Sequence, residues 1–297
     1  MRTEIEIDKE TGEVIKESEK IYTLEDIKQR KLHADKAKEK EQFKEIQKEV
    51  FGNFVFFIFN NIDKLTKVLN DSELTRFIYL GTYVKNDGIL KLDNNKTFIT
   101  KANLHKVLNI SYETSNRLYN KLIDNNLMIE SGEVLYILNY FHYGKAKRYE
   151  EITETRLKNY TRIYIKTTRT LYESTSVRNH GKLAIAYKLL PYVHWKYNIL
   201  CRNPLVELKE NLDVLDINDV LEISGYSKEN KSKFKNYFYS IECDGYDMFA
   251  GLEKKSRKSK NTNYDTTKIY VNPLIFYRGS NDEDLKALFD IFEIKVS

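Results

Sequence analysis

The chain has 297 residues, with 49 Lys and Arg against 44 Asp and Glu, 41% hydrophobic residues, three prolines and two cysteines. That much apolar material excludes wholesale disorder, and two isolated cysteines exclude a disulfide scaffold or a cysteine-based zinc module, so a reducing cytoplasmic setting is expected. The opening residues hold no apolar signal core, and the longest apolar run, residues 54–59, falls far below the roughly 20 needed for a membrane span, so no membrane partner is expected.

Residues 4–15 alternate apolar and polar on either side of Thr11-Gly12, the pattern of a β-hairpin. From 23 to 50 the chain is Glu/Lys-rich and free of glycine and proline. This predicts a solvent-exposed helix suited to self-association or to a host protein. Residues 51–69 are more apolar and read as a buried helix. Residues 71–84 place Leu74, Phe77, Ile78 and Leu80 on one helical stripe behind a capping Asp71 or Ser72. Gly88 breaks that helix, and 89–99 reads as a short strand or hairpin around Asn94-Asn95. Thr100 then caps a short helix. Ser111 caps a second, 112–125, with Ser115, Leu118 and Leu122 inward and Asn126 in the left-handed position that ends it. Residues 127–130 and 133–139 are strands around Ser131-Gly132. Helix, helix–turn–helix and hairpin follow in the order of a winged helix.

A shift of 116 residues lays 99–111 on 215–227. Caps coincide (Thr100 with Asp216, Ser111 with Ser227), as do core positions (Leu104 with Val220, Val107 with Ile223, Leu118 with Phe234, Leu122 with Phe238) and the basic pair Arg117 and Lys233. Residues 182–197 supply the apolar helix upstream, and 247–252 with 268–276 a second hairpin. The expected fold class is α+β, mainly α. A hairpin and charged helical arm occupy 1–50, a first winged-helix domain 51–144, a basic linker 145–181 and a second winged-helix domain 182–297.

Charge is distributed unevenly over this plan. Residues 1–49 carry 12 basic and 14 acidic side chains, leaving 37 and 30 for the rest. Ten Lys and Arg against four glutamates gather at 145–182, and more at 254–260. Two basic segments in a nearly balanced chain point to a polyanion; the plainer reading is solvated surface. A helix–turn–helix places the N-terminal part of its second helix against base edges in the major groove. In the first unit the outward positions are Tyr112, Glu113, Asn116, Arg117, Asn120 and Lys121. Asn116 suits adenine and Arg117 guanine or a phosphate, while Lys101, Lys106 and Lys121 suit phosphates. The second unit presents Lys228, Glu229, Asn230, Ser232, Lys233, Lys235 and Asn236, a lysine-rich face that fits phosphate anchoring. At the tip of its wing, Lys254, Lys255, Arg257, Lys258 and Lys260 suit a groove edge. The expected partner is double-stranded DNA; the alternative is a winged helix that binds host protein instead.

Five histidines form no HxxxH or HExxH, and eleven glycines form no GxxxxGK[ST] or GxGxxG. No enzyme activity, cofactor or metal is expected. The segments ETGEVI (10–15), ITKANLHKVLNISYETSNRLYNKLIDNNLMI (99–129) and IYVNPLIFYRG (269–279) resemble winged-helix replication and regulatory proteins of Firmicute phages and plasmids, with a MarR-like helix–turn–helix. The resemblance implies initiation of replication at repeated origin sites or regulation of phage genes.

Overall fold

The computed structural model describes residues 3–7, 11, 14–19, 24–59, 62–144, 160–243, 245–252, 268–279 and 282–294. The chain divides into two compact units, Met1–Glu45 and Ile46–Ser297. In the first, β1 (Thr3–Ile7) pairs antiparallel with β2 (Val14–Glu19), followed by α1 (Leu24–Ile46). The helix expected at 23–50 is present, and its last turn, Gln47–Phe51, is π-helical and leads to Gly52 at φ 67, a backbone conformation suited to glycine.

The second unit is α+β, with helices set against small antiparallel sheets. The run 51–69 is not one helix. Its centre is the strand β3 (Phe54–Ile58), followed by α2 (Ile62–Val68). A short run of Phe, Val and Ile buried on both faces has no helical period to betray it, and β-branched and aromatic side chains favour the strand. Then α3 (Asp71–Gly81) starts at Asn70, not Asp71 or Ser72. The Asn70 side chain accepts the Glu73 amide at 3.0 Å, and the Glu73 carboxylate accepts the Asn70 amide at 2.9 Å, a capping box. Helix α4 (Leu104–Val107) follows a turn at 101–103 that opens at Thr100, whose carbonyl accepts the Leu104 amide at 3.0 Å and whose amide donates to the Asn103 side chain at 2.9 Å. Ser111 does cap α5 (Tyr112–Asp124), and Asn126 takes φ 55. The hairpin β4 (Ile129–Ser131) and β5 (Val134–Tyr136) turns at Gly132, and β6 (Phe141–His142) follows.

Five basic residues of the segment 145–181 (Lys145, Lys147, Arg148, Arg156 and Lys158) lie outside the described residues. From Tyr160 onward it is not a connector but β7 (Tyr160–Tyr164) and α6 (Ile165–Ser174). The apolar helix expected at 182–197 is α7 (His180–Lys188), stopped by a 3-10 turn holding Pro191. The helices α8 (Ile217–Ile223) and α9 (Lys231–Phe238) follow, then β8 (Glu242–Cys243), β9 (Tyr246–Asp247), β10 (Phe249–Leu252), β11 (Lys268–Val271), β12 (Phe276–Tyr277) and α10 (Asp282–Ile291). Strands β10 and β11 pair, with Phe249 opposite Val271.

A four-stranded antiparallel sheet in the order β12-β7-β3-β6 ties residues from both ends of this unit together. One of its faces, with Val55, Phe57, Phe141, Ile163 and Phe276, is buried in the core. Gly81 at the end of α3 lies so close to Phe141 that a Cβ there would clash with the ring. Helix α3 also packs along α7. Leu74 and Ile78 on one, and Leu183 and Ala184 on the other, are buried, and the Thr75 hydroxyl donates to the His180 carbonyl at 2.8 Å.

Backbone hydrogen bonds recur between the two stretches that the sequence offset relates. The Leu108 amide donates to the Leu104 carbonyl and the Ser224 amide to Val220, both at 3.0 Å. Ile110 donates to His105 and Tyr226 to Leu221, both at 3.1 Å. Further out, Leu90 donates to Leu135 as Leu200 does to Ile269, and Ile137 donates to Gly88 as Val271 does to Asn198. The left-handed positions correspond as well: Asn109 (φ 50) with Gly225 (φ 81), and Gly88 (φ 78) with Asn198 (φ 49). Only Gly, Asn and Asp adopt that conformation readily, so each pair exchanges one permissive residue for another.

Candidate nucleic-acid interface

Helix α5 is anchored by Ser115, Leu118, Tyr119 and Leu122, all buried. Its Ser111 cap accepts the Thr114 amide at 3.2 Å. The opposite face leaves Tyr112, Glu113, Arg117 and Asn120 exposed and Asn116 half-buried. Arg117 lies 3.7 Å from Glu113 across one turn, with 71% of its side chain exposed. Such a surface pair is worth about 0.3–0.5 kcal/mol, too little to hold the guanidinium away from a base or a phosphate. Lys121 is placed differently: its ammonium bridges both Glu73 carboxylate oxygens, at 2.9 and 2.8 Å. Lys101 sits 4.4 Å over the Tyr119 ring, and Lys106 is exposed.

The second helix–turn–helix enters its outer helix through a 3-10 turn, Lys228–Asn230, on Ser227, whose hydroxyl accepts from the Asn230 side chain at 3.2 Å. Phe234 and Phe238 face inward; Lys228, Glu229, Asn230, Ser232, Lys233, Lys235 and Asn236 are exposed. Lys254, Lys255, Arg257, Lys258 and Lys260, expected at a wing tip, lie outside the described residues. The first hairpin differs in charge: residues 127–139 hold Glu130 and Glu133 and no Lys or Arg.

Some positive charge that the sequence reading turned toward a polyanion is spent inside the fold. Arg162 donates to the Gly279 carbonyl at 3.0 Å. Arg169 lies 3.7 Å over the Tyr83 ring and donates to the Thr82 hydroxyl and carbonyl at 2.9 and 3.0 Å. Lys166, Arg178 and Lys182 are exposed.

A set of polar contacts that sequence reading missed links the first outer helix, through α3 and α7, to the turn after α8. Lys121 of α5 holds Glu73 of α3. Two residues earlier Asp71 pairs with Lys188 of α7 at 2.7 Å, and the Lys188 ammonium also donates to the Ser224 carbonyl at 3.1 Å, in the turn after α8. The Asn70-x-x-Glu73 spacing was the one legible signal, because it marks a capping box and so the place of Glu73.

Two histidines are structural. His194 is fully buried; its Nε2–H donates to the Val206 carbonyl at 2.7 Å, and its Nδ1 accepts the Lys196 and Tyr197 amides at 3.1 Å. Burial, then the Arg278 and Lys196 charges, push its pKa below the ordinary 6.5. Burial, with the Arg76 charge, does the same to His180. A folded-state pKa below the unfolded value means that the unfolded chain binds more protons as pH falls. Stability from these groups is therefore complete above about pH 6.5 and is lost as pH drops toward their folded pKa values. The melting temperature is expected to fall between about pH 7.5 and pH 5, and H194Q to flatten that dependence while lowering the melting temperature at the higher pH. Identical pH dependence in wild type and H194Q would refute this role.

Among the described residues no helix is long and apolar enough to cross a membrane. The chain matches no protein-family model, no curated protein and no solved structure.

Proposed function

We propose that the chain is a sequence-specific double-stranded DNA-binding protein built on two tandem winged-helix units, acting as a transcriptional regulator or replication initiator. The observation that carries this reading is the recurrence of one hydrogen-bonded frame around two helix–turn–helix elements. In each, the second helix buries one apolar stripe and exposes polar and basic side chains on the other. In this reading strand 89–90 with β4 and β5, and strand 199–200 with β10 and β11, are the winged sheets. The first outer helix reads bases through Asn116 and Arg117. The second, richer in lysine, anchors phosphates through Lys228, Lys233 and Lys235.

A second reading is favoured at one place. The first hairpin exposes Ile129 and Leu138, each 45% accessible, beside Glu130 and Glu133, a surface that suits a protein partner better than phosphates.

Selection from a random-sequence duplex library tests the main reading. One motif should emerge, placed at promoters for a regulator and in tandem copies at an origin for an initiator. The double variant N116A/R117A should bind selected and scrambled duplexes alike, losing about fivefold or more in preference for each contact removed. Equal loss on both duplexes would show that these residues do not read bases.

A further inference from the structure

We propose that Tyr112, positioned by His105, reads the 5-methyl group of a thymine in the major groove, next to the base pair that Asn116 contacts. This rests on the duplex-reading function above and adds the chemistry of one recognised group. Tyr112 is the first residue of α5, where side chains reach furthest toward base edges, and it is 61% exposed. Its place is fixed. The His105 ring meets it edge-on, with centroids 5.6 Å apart and planes at 78°. The His105 carbonyl is in turn held by the Ile110 amide at 3.1 Å. Asn116 stands one turn along the same helix face, so a ring and a carboxamide are presented side by side.

Among major-groove edges the thymine methyl is the apolar one, while adenine offers the acceptor and donor pair that a carboxamide matches. An aromatic ring beside an Asn therefore suits neighbouring A·T pairs. The second unit has no such pair: the offset places Lys228 opposite Tyr112 and the buried Leu221 opposite His105. Thymine reading thus belongs to the first half-site alone.

The full chain is used to select a duplex from a random-sequence library, and each thymine of that duplex is replaced in turn by deoxyuridine. One or two replacements should weaken binding about fourfold, the worth of one buried methyl group. Y112A should bind the thymine and deoxyuridine forms equally, whereas Y112F should keep the preference. H105A should bring the ratio toward one without changing the salt dependence of binding, which a merely structural role would not do. Wild-type protein that binds tightly but ignores every deoxyuridine overturns the thymine contact and leaves duplex reading intact. Failure to select any duplex overturns duplex reading, and the thymine contact with it.

Discussion

Inserting about five base pairs between the two half-sites of a selected duplex is expected to weaken binding about 100-fold or more. Half a turn of B-DNA moves the second half-site to the opposite face of the duplex. Two loosely associated units would tolerate that change, but here elements of the two stretches pack against each other. Helix α3 lies along α7, and Asp71, Lys188 and the Ser224 carbonyl are joined by contacts of 2.7 and 3.1 Å. Lys121 and Glu73 fasten the first outer helix to the same element. Losing one half-site forfeits much of the margin between specific and non-specific binding, which runs to about 10³-fold or more. A full-turn insertion, about ten base pairs, should be penalised as well, because a rigid body cannot stretch by the roughly 34 Å it adds. Retained affinity with both insertions would mean that the two units move independently or that only one touches DNA.

Phe238→Ala is expected to cost about 3–5 kcal/mol, measured by urea denaturation. Phe238 is fully buried, stacked on Phe249 with ring centroids 4.0 Å apart and beside Phe234 at 5.7 Å. It joins the second outer helix to the hairpin behind it. Residues 46–297 share one compact core. The variant should therefore unfold in a single transition at lower urea, rather than in two transitions of which one is shifted. Lys233→Ala, on the exposed face of the same helix, should change stability by no more than about 0.5 kcal/mol. In the proposed reading its effect falls on duplex affinity.

The parts of the fold legible in sequence are those specified locally. Ser111 caps α5 and Asn126 takes the left-handed conformation that ends it, because capping and φ above zero each restrict residue choice within a few positions. Strands β3 and β7 escaped because their pairing spans more than a hundred residues: Phe56 lies opposite Arg162 and Val55 opposite Ile163. Nothing within a window of a dozen residues encodes such a partner, and an unbroken apolar run does not distinguish strand from buried helix. Charge misled for a similar reason. Arg162 and Arg169 look in sequence like the rest of a basic segment, yet backbone carbonyls and the Tyr83 ring hold them within the fold. The outward residues of α5 and α9 were legible because an amphipathic helix with a known inward stripe fixes its other face.

The most direct test of two outer helices engaging one duplex is a fluorescence anisotropy titration of the selected duplex across a range of salt concentrations. Exposed Lys106, Lys228, Lys233 and Lys235 reaching phosphates predict a log–log slope of about −3.6, at roughly −0.9 per contact. A slope near zero, or no duplex binding at low salt, would contradict it.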